Sequence, residues 1–265
     1  MQPKAAPESR PNALRTMDVR EAALIAVLLV LAALGWVVTA QRMGGMDMGG
    51  WTDPGPLDFF LTTWVVMLAA MMFPSVAPMV TAYAKISRRR RETGRSAPRG
   101  STSLFVAGYL VAWTAFGLVA YGLYNTVASL VPRALTADPG GRYAAAGVIL
   151  AAAVYQLTPA KNVCLTKCRS PMDFILHGLR PGYGGALRMG VEHGAWCIGC
   201  CWALMVALFA LGMMSVGWMA LVGALIAAEK MLPWRRLANR SVSAALAVIA
   251  VGVALAPAST SGMTM

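Results

Sequence analysis

The sequence predicts an all-α fold, a polytopic bundle of about seven transmembrane helices, and two observations support this prediction. Of its 265 residues, 58% are apolar and only 13% are charged, and the mean hydropathy is +0.60. Soluble domains contain roughly 25% charged residues. Several apolar runs also reach the roughly 20 residues that a helix needs to cross a bilayer core. A transmembrane β-barrel is disfavoured, because these runs do not alternate apolar and polar residues.

Seven apolar segments predict the membrane crossings. The first segment, at 22–40, follows basic residues, as the apolar region of a signal peptide does. Its 19 residues exceed the usual length of that region and therefore favour an uncleaved helix. The fourth, sixth and seventh segments are short, so we expect them to be tilted, partly re-entrant or longer than their apolar runs. The other six segments are 59–82, 104–130, 143–157, 187–211, 216–228 and 242–256.

The second segment contains two prolines, Pro74 and Pro78, which predict a kink. Such a kink frees backbone carbonyls, and these are tolerated in a membrane only where they face protein or a cavity. Met71 and Ser75 lie one turn apart beside the prolines. We expect both side chains to line a cavity that supports a metal site, with a purely structural hinge as the alternative.

The distribution of Lys and Arg predicts that the N-terminus lies in the cytoplasm and the C-terminus outside. Basic residues precede the first segment and follow the second, fourth and sixth segments, which places them on one side of the membrane. Of the 23 basic residues, only Arg42, Arg133 and Arg142 fall on the other side. The positive-inside rule therefore explains the net charge of +12. No nucleic-acid partner is expected, because no basic face is interleaved with aromatic residues.

The strongest functional signal is a cluster of metal-ligand residues, since all five cysteines and both histidines lie within residues 164–201. On a helix, His193, Cys197 and either Cys200 or Cys201 share one face, as ligands from a single helix must. These four residues are the main candidate ligands. The candidates on a neighbouring helix or loop are Cys164, Cys168 and His177. The alternative is that the thiols pack as small apolar groups.

Two acidic residues are candidates for supporting this site. Glu192 precedes His193 in the sequence, and we expect it to orient the imidazole or neutralise its charge. Glu229 lies next to Lys230 at the end of the sixth segment. That pair is typical of an anchor at the membrane interface. A buried role as a ligand or proton carrier is the alternative for Glu229.

Methionines on the expected outer side indicate copper. Met46 and Met48 lie in the glycine-rich connection after the first segment. Thioethers on the outer side and thiolates inside the membrane suit Cu(I), which is a soft ion. We therefore predict a copper ion as the bound metal. We expect these two methionines to capture it. Zinc is an alternative metal for the cysteines. Haem is another alternative, with His177 and His193 as its axial ligands.

Five short motifs together resemble a known family. They are Met71-Met72-x-Pro74-Ser75, Cys164-x-x-x-Cys168, His177-Gly178, Glu192-His193-Gly194-x-x-Cys197-x-Gly199-Cys200-Cys201-Trp202 and Glu229-Lys230. They cover about positions 58–240 and resemble the bacterial family called domain of unknown function 2182, whose members are labelled predicted metal-binding integral membrane proteins. The resemblance implies a multi-pass metal-binding protein of the bacterial cytoplasmic (inner) membrane. It implies no reaction.

These observations divide the chain into four parts. Residues 1–18, rich in proline and charge, are expected to form a flexible cytoplasmic tail. Residues 19–57 are expected to form the first transmembrane helix and a Met-rich outer loop, and residues 58–240 a metal-binding-like helical membrane domain. The last transmembrane helix and an outer tail occupy residues 241–265.

The predicted function is copper acquisition, delivery or homeostasis through an intramembrane His/Cys site. Its expected partners are membrane lipids and a metal-donor or metal-acceptor protein or a membrane complex. No residue is assigned a catalytic role. One alternative is a membrane thiol-disulfide oxidoreductase that uses Cys200 and Cys201 or Cys197. The other is a structural or assembly subunit of a membrane complex, which predicts that no metal is bound.

Overall fold

The computed structural model describes residues 18–43, 54–95, 97–130, 140–212, 215–232 and 234–256. These residues form helices and contain no strand, so the predicted all-α class is confirmed for the described part of the chain. In chain order the helices are α1 Val19–Met43, α2 Leu57–Glu92, α3 Ser101–Leu130, α4 Gly140–Tyr155, α5 Pro159–Arg169, α6 Pro171–Gly178, α7 Gly182–Leu211, α8 Val216–Met231 and α9 Arg235–Leu255.

Five of these helices are long and apolar enough to cross a membrane, namely α1, α2, α3, α7 and α9. Helices α4 and α5 are bent by 66° at the break between them and would make a sixth crossing if they act as one broken span. Helix α8 has only 16 residues and is not among the five. The number of seven crossings and the orientation of the termini therefore stay predictions.

Helix α1 presents an apolar face that the other described helices do not cover. Val27, Val30 and Leu34 on this face are each more than half exposed, at 55%, 57% and 55%. Exposed apolar surface of this extent is unusual on a monomeric soluble protein. The long apolar helices are therefore compatible with a multi-pass membrane protein, in which lipid tails would cover such faces.

Helices α2 and α7 form the centre of the bundle, and α3 packs against both. Trp64 of α2 is fully buried, and its indole Nε1 donates a hydrogen bond to the backbone carbonyl of Trp113 in α3 at 3.0 Å. Gly117 of α3 leaves room for that indole ring, because a Cβ there would lie 2.5 Å from Nε1 of Trp64. The buried indole thus has a partner for its polar atom, as burial in an apolar core requires.

Helix α2 continues without a break through Pro74 and Pro78, so the kink predicted at these prolines does not interrupt it. Its final turns join the start of α1 through ion pairs of Arg88 with Asp18 and of Lys85 with Glu21, both at 2.6 Å. The hydrogen bond from Arg88 holds the pKa of the Asp18 carboxyl below its ordinary value. Part of the basic cluster after the second apolar segment is therefore engaged within the chain.

The segment that follows α4 is helical. It turns back into α5, where Thr158 accepts a hydrogen bond from the backbone N–H of Lys161 and Pro159 occupies the first turn. Both features are typical of a helix start. Lys161, which the charge pattern placed in a cytoplasmic loop, is completely buried. The bend thus folds α5 against the bundle, together with the two cysteines that it bears.

Glycines allow α3 and α7 to approach until their backbones touch. A Cβ at Gly108 of α3 would clash with the backbone carbonyl of Leu187, and one at Gly190 of α7 would clash with that of Phe105. Gly194, four residues after Gly190, faces Ala112 of α3, where a Cβ would meet a methyl group at 2.7 Å. Small residues at this spacing are the usual means of close helix packing in membranes.

We expect Gly108→Ala to lower the free energy of unfolding by about 1–3 kcal/mol or more, because the new methyl group forces two backbones apart. Gly122→Ala in the same helix is the matched control, since nothing lies within 4 Å of the added Cβ. It should stabilise the helix by about 0.5–1 kcal/mol. The midpoint of thermal unfolding of the detergent-purified chain measures both. Equal midpoints would contradict the close approach of the two helices.

Candidate metal centre

Three cysteine sulfurs from two helices lie together inside the bundle. The Sγ atoms of Cys168 in α5 and of Cys197 and Cys200 in α7 are all within 4.8 Å of one another. Cys197 and Cys200 are at most 1% exposed. A thiolate–metal bond of about 2.3 Å places three coplanar sulfurs about 4 Å apart, so small side-chain rotations suffice to close this group on one ion. Thiolates favour soft ions such as Cu(I), and also zinc.

A fourth sulfur lies beside this group. Cys201 places its Sγ 4.0 Å from that of Cys197. The thiols of Cys200 and Cys201 donate hydrogen bonds to the backbone carbonyl of Cys197, at 3.1 and 2.8 Å. Thiols that bond back to the preceding turn in this way are held in fixed rotamers. The shared helical face predicted from the spacing therefore holds for the three cysteines of α7.

The sulfur of Cys197 has two further polar neighbours, which come from other helices. The ammonium of Lys230 at the end of α8 donates a hydrogen bond to Sγ at 3.0 Å. The hydroxyl of Tyr109 in α3 lies 3.2 Å from the same atom. A positive charge beside a sulfur stabilises negative charge on it. The structure thus places a positive charge directly against the sulfur of Cys197.

The sequence interpretation missed both of these neighbours. The position of Lys230 at the end of an apolar helix could have indicated this contact. A charge at such a position is either an interface anchor or a buried partner, and the sequence favours the anchor. No feature of the sequence indicated the contact of Tyr109, because an aromatic residue within an apolar run is ordinarily a packing residue. Both contacts depend on how α3, α7 and α8 are arranged around one another.

His193 is buried but does not join the sulfur group. Its ring, 1% exposed, packs against Phe105, Tyr109 and Phe174, with ring centroids 5.9, 5.9 and 5.4 Å away. Its Nδ1 atom has no hydrogen-bond partner in the described structure. The histidine lies one turn before Cys197 on the same helix, so the predicted spacing is present. Its surroundings are those of an aromatic cage.

Glu192 is not placed as the sequence suggests. Its carboxylate accepts a hydrogen bond from Nε of Arg188 at 3.0 Å and pairs with Arg180 at 3.7 Å. Adjacent residues on a helix do not face each other, and Glu192 is accordingly directed to these arginines on the partly exposed side of α7. The structure gives no contact between this carboxylate and His193.

Several other candidate residues are not members of the sulfur group or lie outside the described residues. Cys164, one turn before Cys168, packs against Gly199, where a Cβ would lie 2.7 Å from its Sγ. Met71 packs against Gly223 of α8. The side chain of His177 lies outside the described part of the structure. The same holds for Met46 and Met48, the predicted capture residues.

The interpretation of Glu229 as an interface anchor is wrong, because its side chain is buried in the bundle. Glu229 is 2% exposed and pairs at 2.6 Å with Lys161, which also donates a hydrogen bond to Oε1 of Gln156. Arg169, next to Cys168, donates a hydrogen bond to the backbone carbonyl of Glu229 at 2.8 Å. The end of α8 is therefore fastened to α5 by charged groups.

Comparison with known proteins gives one family match. The model of a family described as PpoB2, copper chaperone, matches residues 61–253, a range that contains all five cysteines and both histidines. No curated protein and no solved structure matches the chain. The match confirms the copper-related part of the sequence prediction. It does not extend to the family of unknown function that the motifs resemble, nor to a membrane location.

The buried ion pair yields a testable expectation for stability. Lys161→Met leaves the Glu229 carboxylate buried without its cation, and we expect the free energy of unfolding to fall by about 3–5 kcal/mol. Lys161→Met combined with Glu229→Leu removes both charges and should recover most of this loss. Lys167→Met is the control, because its pair with Asp173 is about half exposed and contributes at most about 1 kcal/mol.

Denaturant unfolding of the purified variants measures these differences. If the single and double variants were equally unstable, the loss would come from packing, and the assignment of Lys161 and Glu229 as mutually compensating charges would be wrong.

Proposed function

The chain belongs to the PpoB2 copper chaperone family, and from this premise we propose that it is a multi-pass membrane protein that binds Cu(I) at its buried cysteines and delivers it to a partner. Copper is here the cargo. The proposal includes copper acquisition and homeostasis, which use the same binding step. The partner is a metal-donor or metal-acceptor protein or a membrane complex.

One observation supports the binding step above all others, namely the three sulfurs of Cys168, Cys197 and Cys200 within 4.8 Å of one another. Two of them come from one helix and the third from a neighbour, so the group exists only in the folded chain. Its donors are all thiols, the ligand type that Cu(I) prefers. We assign these three cysteines as the copper ligands, with Cys201 as a neighbouring sulfur available for exchange.

The chain's other groups would prepare Cys197 for the ion. The Lys230 ammonium and the Tyr109 hydroxyl both contact its sulfur. Together they would stabilise a negatively charged sulfur at this buried position, where a charge without partners would be costly. Copper binds to thiolate and not to thiol. Cys197 is therefore the first ligand in this scheme.

The proposed location is a bacterial cytoplasmic membrane, with the N-terminus inside. Five long apolar helices and the uncovered apolar face of α1 support a membrane location. The distribution of basic residues supports the orientation. Met46 and Met48 remain the proposed capture residues on the outer side, by the preference of Cu(I) for thioethers.

The proposal predicts that the full-length chain, purified in detergent under reducing conditions, retains nearly one copper per chain. Replacing Cys168, Cys197 and Cys200 together by Ser should abolish this copper, because hydroxyls are poor ligands for a soft ion. Cys164→Ser is the matched control and should keep its copper, since that sulfur lies against Gly199 outside the group. Mass spectrometry measures the metal, and gel filtration checks that each variant is folded.

The same measurement separates the proposal from its rivals. Absence of copper from the wild type, together with thiols that respond to redox poise, would favour a thiol-disulfide oxidoreductase. Zinc in place of copper, lost in the triple variant, would keep the site and change the cargo. His193→Phe preserves the aromatic packing and should retain copper. Loss of copper in that variant would show that His193 is a ligand.

A further inference from the structure

The ammonium of Lys230 occupies a position that has the donors of a cation site. Three side-chain atoms surround it: Sγ of Cys197 at 3.0 Å, Oγ of Ser75 at 3.3 Å and Sδ of Met72 at 4.0 Å. They come from α7 and α2, while the lysine comes from α8. A thiol and a thioether are the two soft donors that side chains offer, and here both border one buried position.

Met72 is fully buried within α2, at 0% exposure. A buried methionine is ordinarily a flexible apolar group that fills a gap in the core. Met72 differs from that pattern, because its sulfur is within 4.0 Å of a charged nitrogen that also touches a cysteine sulfur. Its neighbour Met71 shows the ordinary pattern, since its side chain packs against Gly223.

We propose that Met72 is a copper ligand, and that Cu(I) takes the position beside Cys197 and Met72 that the Lys230 ammonium occupies in this structure. This inference rests on the proposed function. It adds a thioether to the thiol ligands and assigns Lys230 as the group that leaves when the cargo enters.

The charges of the two cations support this exchange. The Lys230 ammonium and Cu(I) both carry one positive charge, so replacing one by the other beside the Cys197 sulfur leaves the net charge at this position unchanged. A divalent ion would add a charge at a position where uncompensated charge is costly. The thioether adds a soft ligand without adding negative charge.

Lys230 has a place to go when the ion enters. It is the last residue but one of α8, and the two residues that follow, Met231 and Leu232, are 63% and 44% exposed. The end of α8 thus lies at the surface of the bundle. A lysine can turn its long apolar stem so that the charged group reaches water or lipid headgroups.

The test uses the full-length chain produced with selenomethionine and loaded with one equivalent of Cu(I). X-ray absorption at the copper edge then distinguishes selenium from sulfur neighbours. We expect copper–selenium scattering in the wild type, its loss in Met72→Leu and its retention in Met71→Leu. Leucine has nearly the volume of methionine, so both variants should fold.

The outcomes separate this inference from the proposed function. Copper bound with only sulfur scattering in the wild type, or copper–selenium scattering that persists in Met72→Leu, would overturn the role of Met72 and leave the cysteine site standing. Failure of the wild type to bind copper at all would overturn the proposed function and, with it, this inference.

Discussion

The close approach of α3 and α7 is the constraint on which the candidate site depends. Gly108 on one helix, with Gly190 and Gly194 on the other, lacks the Cβ atoms that would clash with the facing helix at these three positions. Tyr109 follows Gly108 directly, and Cys197 lies one turn after Gly194. The 3.2 Å contact between the Tyr109 hydroxyl and the Cys197 sulfur therefore exists only at this helix separation. The aromatic packing around His193 depends on the same approach.

Charged groups at the end of α8 impose a second constraint. Consecutive side chains, Glu229 and Lys230, point to different helices: Glu229 pairs with Lys161 of α5, and Lys230 contacts Cys197 of α7. Burying charges costs free energy that their mutual attraction repays only at short range. These contacts therefore fix α5, which bears Cys168, relative to α7. Cys168 is distant in sequence from Cys197 and Cys200. These contacts at the end of α8 hold the three sulfurs together.

The sequence predicts the all-α class and the shared face of the α7 cysteines, because helical periodicity is a local property. It left Cys164 and Cys168 as equal candidates for the second helix. The choice between them depends on the 66° bend between α4 and α5. The sequence also placed Lys161 in a loop, because a basic residue after an apolar run is usually exposed. The inward direction of Lys230 likewise depends on a partner that lies 33 residues away in sequence.

Charge balance limits how a buried site of this kind can hold a monovalent ion. Three thiolates around Cu(I) would leave two net negative charges in a medium of low dielectric constant, and Lys230 at its present position would offset one of them. One thiolate with a thioether leaves none. Cys200 and Cys201 donate hydrogen bonds to the backbone carbonyl of Cys197 in this structure. Cys197 belongs to both proposed ligand sets, the one with Met72 and the one with Cys168 and Cys200, so an ion in either set would be bound to it. The proposed delivery of copper would use this overlap, because an ion can exchange its other ligands while it stays bound to Cys197.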